Sequence, residues 1–148
     1  FEAASHTGAQ LAQTDAEQAD ALRRFGRHLG IAFQLIDDLM DYTGDQDTMG
    51  KNVGDDLAEG KPTLPLIHAM AHGTVNDRKL IRKAIRQGSC QQIDDIQAII
   101  RRCGSLNYTR ARAAQETQDA LACLKILNDS PYKTSLADLC TLALARQN

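Results

Sequence analysis

Leu22, Phe25, Leu29, Ala32, Ile36 and Met40 recur at steps of three and four residues, the spacing that lines one face of a helix. This is the strongest periodic signal in the chain. It predicts a long helix that starts at a Thr14-Asp15-Ala16-Glu17 capping box and reaches about Tyr42. Gly26 and Gly30 interrupt it and each costs about 1 kcal/mol against alanine, so close packing of a neighbouring helix is the expected reason for them. Phe1 to Gln13 reads as the tail of another helix.

The apolar period then stops. Gly44 to Lys61 gathers Gly44, Gly50, Gly54 and Gly60 with Asp45, Asp47, Asp55 and Asp56. A connection of this length without structure of its own is usually functional or disordered. It is expected to be more mobile than the helices around it until a ligand arrives. After the Pro62-Thr63 entry, a short helix is predicted from Leu64 to His72, ending at Gly73. Further helices are predicted over Asn76 to Gln87, Gln91 to Cys103, Ser105 to about Leu127, and from Ser130-Pro131 to about Arg146. No segment alternates with period two, and no repeat is present. The fold class is all-α.

Composition narrows the function. The 148 residues are 43% hydrophobic, 24% charged and 4% aromatic, with no Trp. These are globular proportions that favour helix over strand. A formal net charge of −2, with no clustered basic and aromatic residues, excludes a nucleic-acid footprint. No apolar run approaches the ~20 residues of a transmembrane span. Cys90, Cys103, Cys123 and Cys140 are widely spaced on expected apolar helix faces and make no zinc pattern, so reduced, buried thiols of a cytoplasmic protein are expected. His6, His28, His68 and His72 converge on no metal pattern by spacing, and the basic residues between Arg78 and Arg86 fit a solvated helix face.

The candidate chemistry lies at the end of the long helix, where Asp37, Asp38 and Asp41 form a DDxxD string. Positions i and i+4 share a helix face, so Asp37 and Asp41 project together with Asp38 beside them, and Gln34 stands one turn earlier. Like charges there, close to the negative end of the helix dipole, destabilise the helix unless a cation compensates them. Hard oxygen ligands in this pattern suit Mg²⁺. A solvated acidic face is the alternative reading, and it is the one adopted for Asp94 and Asp95, where Ala98 replaces the third carboxylate. The first cluster differs because Gly50-Lys51 and Gly60-Lys61 follow it. Glycines let backbone N–H groups approach an anion, and lysines supply point charges for phosphate oxygens. The GxxxxGK[ST] nucleotide pattern is absent.

The stretch from Phe33 to Tyr42, FQLIDDLMDY, resembles the second aspartate-rich motif of the trans-type polyprenyl diphosphate synthase family. Gly50 to Leu66, GKNVGDDLAEGKPTLPL, resembles the block that follows it in that family. GKPTLPLIHA is most similar to the bacterial long-chain members. The resemblance implies the C-terminal portion of an isoprenoid synthase-type helical bundle. The implied activity is a prenyltransferase that elongates an allylic diphosphate with isopentenyl diphosphate into an octaprenyl-like quinone side-chain precursor. The chemistry is Mg²⁺-assisted ionisation, condensation and elimination. Asp37 then resembles the principal metal ligand, with Asp38 and Asp41 completing the motif and Asp56 a weaker candidate behind them. Lys51 and Lys61 resemble the lysines that grip the allylic diphosphate, and Gln34 the glutamine facing the ionising carbon. A homodimer is also implied.

The family's first aspartate-rich motif, its arginines for isopentenyl diphosphate and its Lys-Thr pair are not in these residues. The whole chain, 1–148, is therefore expected to be the C-terminal part of a single synthase domain whose upstream half is missing, inactive in isolation. Two rival readings are a terpene cyclase, which shares DDxxD but not the GKxxGxD…GKPTLP continuation, and a non-catalytic partner subunit of a heteromeric synthase. The latter has no chemical reason to keep the full set of carboxylates and lysines.

Overall fold

The computed structural model describes residues 1–43 and 54–145, and its elements are helical throughout. Helix α1 spans Glu2–Leu11 and α2 Ala16–Thr43; a one-turn helix, α3, covers Asp55–Ala58. Then come α4 (Leu64–His72), α5 (Val75–Gln87), α6 (Ile93–Arg102), α7 (Ser105–Cys123), a 3₁₀ turn over Leu124–Ile126, and α8 (Pro131–Ala145). No helix among the described residues is long and apolar enough to cross a membrane.

The chain divides into two compact units, Phe1–Ile36 with Arg112–Asn148, and Asp37–Ala111. In the first, the predicted stripe of α2 is buried at Phe25, Leu29, Ala32 and Ile36. Phe25 and Leu29 pack with Ala120, Leu124, Cys140 and Ala143. Helix α1 lies against α2 at the two glycines. A Cβ on Gly26 would stand 2.7 Å from the Phe1 carbonyl oxygen, and one on Gly30 would stand 3.1 Å from Phe1 Cβ. Arg23 Nη1 donates to Glu2 Oε1 at 2.8 Å and links the same pair of helices. The expected capping box is displaced by one residue. Asp15 caps α2 by accepting from Gln18 N at 2.8 Å, while the Thr14 hydroxyl turns back to the Ala9 carbonyl of α1 at 3.3 Å. A threonine that can satisfy the end of one helix is drawn from the start of the next.

The second unit is built on Tyr42, Leu57, Leu66, Ala69, Ile81, Ala84, Ile96, Ile99 and Ile100. Thr74 opens α5 with a reciprocal capping box to Asp77. The connection expected to be structureless is not so over its described part, because α3 turns on Gly54 and buries Leu57. Residues 44–53, Lys51 included, lie outside the described residues. Asp94 and Asp95 are exposed at the start of α6, as expected of a solvated pair. The cysteines are all free, but only Cys140 is fully buried, and Cys90 lies in the α5–α6 link rather than on a helix.

The α5–α6 link also holds α3 in place. Gly88 has φ 55°, and a Cβ on it would stand 2.6 Å from the Ala58 carbonyl oxygen at the end of α3. Gly88→Ala combines a strained backbone with that collision and is expected to destabilise the protein by about 2–3 kcal/mol. Gly8→Ala, whose Cβ would meet nothing within 4 Å, is expected to be neutral or to stabilise by up to about 1 kcal/mol. Denaturant unfolding of the two variants checks the contrast; equal effects would contradict it.

Candidate functional site

The apolar period of α2 sets the orientation of its last turns. Ile36, Leu39 and Tyr42 are buried, which fixes where Asp37, Asp38 and Asp41 project. The three are unequal: Asp38 is buried, at 7% exposure, whereas Asp37 and Asp41 are half-buried. Helix α2 carries no basic residue in its last turn, so no cationic side chain of that turn offsets the carboxylates there.

Asp41 is tied to α3. Its carbonyl accepts from Gly54 N at 3.1 Å, and its Oδ2 accepts from Asp56 N at 3.3 Å. Burial, followed by the charge of Asp56, pushes the Asp41 carboxyl up to about 6, and the backbone N–H groups of Asp56 and Asp55 only partly oppose the rise. A carboxylate so disfavoured at neutral pH gains most from an added cation. Asp56 in turn accepts from Lys61 Nζ through Oδ1 at 3.1 Å. Lys61 also pairs with Glu59. These two partners hold the ammonium's pKa well above its ordinary value, Glu59 contributing more. The lysine side chain is 54% exposed, so its head group can exchange partners by rotation.

Two hydroxyls lie under this cluster. Tyr42 Oη and Thr63 Oγ1 are buried, and neither makes a well-formed hydrogen bond. Burial, with the charges of Asp41, Asp56 and Asp38 adding to it, raises the phenol's pKa, and the nearby Thr63 hydroxyl tempers the shift. The phenol therefore keeps its proton. The α5–α6 link closes the far side, where Cys90 Sγ donates to the Gly54 carbonyl at 3.1 Å. Burial, then Asp41 and Asp55, holds that thiol protonated.

Of the residues singled out by sequence, Asp41, Asp56 and Lys61 are joined directly, with Asp37 and Asp38 on the preceding turn of α2. Gln34 is exposed on α2 in the first unit. Lys51 lies outside the described residues. Sequence reasoning missed Glu59, although its place two residues before Lys61 on a short turn is a usable signal. It also missed Tyr42 and Thr63, whose proximity depends on how α4 packs.

Two half-buried carboxylates beside a buried one, with a lysine held behind them, form an arrangement suited to a divalent cation and an anionic ligand. The profile of the polyprenyl synthetase family matches residues 1–103. The chain is 48% identical over 147 residues to the octaprenyl diphosphate synthase of Escherichia coli (strain K12), covering 99% of this chain and 46% of that protein. Its structure is similar to that of a decaprenyl diphosphate synthase from Rhodobacter capsulatus, with TM-score 0.89 and 35% identity over 100% of this chain and 46% of that one. It is also similar to a polyprenyl synthase from Caulobacter crescentus CB15 complexed with calcium and isoprenyl diphosphate, with TM-score 0.87 and 37% identity over the same shares, 100% and 46%. The chain thus spans about half the length of the relatives it matches. The helical fold is that of the isoprenoid synthases. With its aspartate motif, glycine–lysine continuation and helical fold all in agreement, the chain belongs to the polyprenyl synthetase family.

Proposed function

We propose that this chain supplies one carboxylate wall of the site at which a prenyltransferase ionises an allylic diphosphate and extends it with isopentenyl diphosphate to a long-chain product. The observation that carries the reading is the link Asp41–Asp56–Lys61 at the end of α2. A carboxyl raised to about 6 by burial and by a second carboxylate is joined through Asp56 to a lysine whose side chain is half exposed. Family membership supports the rest, including the homodimer that the motif resemblance implies, and the free cysteines support the cytoplasmic setting. The terpene cyclase and the partner subunit gain no support from relatives that are polyprenyl synthases.

Asp37, Asp38 and Asp41 would hold Mg²⁺, with Asp56 fixing Asp41 from behind through its backbone N–H. The calcium in the Caulobacter relative supports a divalent cation. A bound Mg²⁺ would offset the charge that grows on a leaving diphosphate as its C–O bond breaks. Lys61 would swing from Asp56 and Glu59 to a diphosphate oxygen, strengthening as that charge develops, which favours the transition state over the ground state. Lys51 would add a second positive charge, and Gln34 would face the carbon being ionised. The bonding electrons leave with the diphosphate. The isopentenyl double bond then attacks the allylic carbon, and loss of a proton restores a double bond in the longer chain.

Asp37→Ala in the complete protein is expected to lower turnover by several orders of magnitude, since a catalytic metal contributes several kcal/mol. Asp94→Ala should leave turnover unchanged. Steady-state assay of prenyl transfer decides it, and comparable rates in the two variants would remove the assignment.

The raised Asp41 carboxyl also links stability to pH. Its folded pKa lies above its unfolded one, so its contribution is complete below the ordinary carboxylate value near 4. That contribution is lost as pH rises through about 6. Without metal, thermal stability should fall across this window in the wild type and much less in Asp41→Asn. Parallel pH profiles for the two proteins would show that Asp41 is not the strained group.

A further inference from the structure

We propose that His28, Glu116 and Asp119 form a second metal site, chemically distinct from the aspartate cluster and suited to a borderline transition ion such as Zn²⁺. His28 lies on α2, while Glu116 and Asp119 lie on α7 at a spacing of three residues that puts them on one face. Ligand atoms of the three side chains are all within 4.8 Å of one another. All three residues belong to the first compact unit.

The chemistry of the set separates it from the first cluster. One imidazole nitrogen with two carboxylate oxygens is a mixed N/O donor set, which imidazole biases toward zinc and its neighbours rather than Mg²⁺. Glu116 is only 8% exposed, and a second carboxylate within this small radius adds like charge that a dication would cancel. The outer partners are also in place. Arg112 Nη2 donates to Glu116 Oε1 at 3.0 Å, leaving Oε2 toward His28, and Gln115 Nε2 donates to Asp119 Oδ1 at 3.0 Å. Each carboxylate is thus steadied by the residue four positions earlier on its own helix, the kind of support that orients metal ligands. His28 Nδ1 stands 2.8 Å from Glu116 Oε2. A zinc ion about 2.0–2.2 Å from each donor would insert into this contact, with water completing a tetrahedron. Zinc binds the bare Nδ1 of a neutral imidazole, so the ring keeps one proton on Nε2. Only a second proton, if the ring begins as the imidazolium, leaves to solvent as zinc enters. The ion would tie α2 to α7 within their unit.

The test is equilibrium dialysis of the complete protein against Zn²⁺, with excess Mg²⁺ to occupy the first cluster and no diphosphate. One zinc per chain is expected, together with a raised melting temperature. Loss of an outer partner typically weakens a metal site by about 10–100-fold. His28→Gln and Asp119→Asn, which each remove a ligand, should therefore weaken zinc binding by about a hundredfold or more, and Gln115→Ala by about tenfold. Circular dichroism establishes that each variant is folded. Absorption bands of bound Co²⁺ give a second readout, expected in the wild type and lost in His28→Gln. Zinc uptake that the ligand variants leave unchanged, or no uptake in the presence of Mg²⁺, would overturn the proposal.

Discussion

Negative charge gathered at the negative end of a helix is the constraint on which the second unit depends. Asp37, Asp38 and Asp41 fall in the last two turns of α2, where the backbone dipole already disfavours anions, and Asp56 adds a further carboxylate to the group. The fold does not relieve this by moving the charges apart. It anchors α2 by burying Leu39 and Tyr42, then brings α3 back so that the Gly54 and Asp56 N–H groups donate to Asp41. The Gly54 donor ties the Asp41 carbonyl, and the N–H groups of Asp56 and Asp55 only partly offset the rise of the Asp41 carboxyl. Lys61, held by Asp56 and Glu59, supplies some of that compensation while remaining exposed enough to move.

Residues outside the aspartate motif serve the same arrangement. The α5–α6 link approaches α3 closely at Gly88, and Cys90 donates to the Gly54 carbonyl. A shift of that link would displace the N–H groups that hold Asp41. The hydroxyls of Tyr42 and Thr63 keep polar capacity beneath the cluster at the cost of burial without a well-formed hydrogen bond.

Much of this was legible in the sequence because it is local. The apolar period of α2, the three aspartates on its last turns and the Pro62-Thr63 entry to α4 depend on residues near one another in the chain. Even there, Thr14 was misassigned, since a residue between two helices can cap either one and the choice depends on which carbonyl lies nearer. The hydrogen bond from Asp56 to Asp41 spans 15 residues, and the contact between His28 and Glu116 spans 88. Neither leaves a periodic trace. The family was readable because its motif is contiguous, whereas pairing among the site residues required the folded chain.

The central claim is that Asp41 is held as a strained carboxyl whose charge awaits a divalent cation. The most direct measurement is a carboxyl-carbon NMR titration of Asp41, without metal and then with Mg²⁺ and inorganic diphosphate. The account predicts a midpoint near 6 without metal, falling into or below the ordinary carboxylate range near 4 once the cation binds. A midpoint near 4 without metal, or one near 6 that Mg²⁺ and diphosphate leave unmoved, would contradict it.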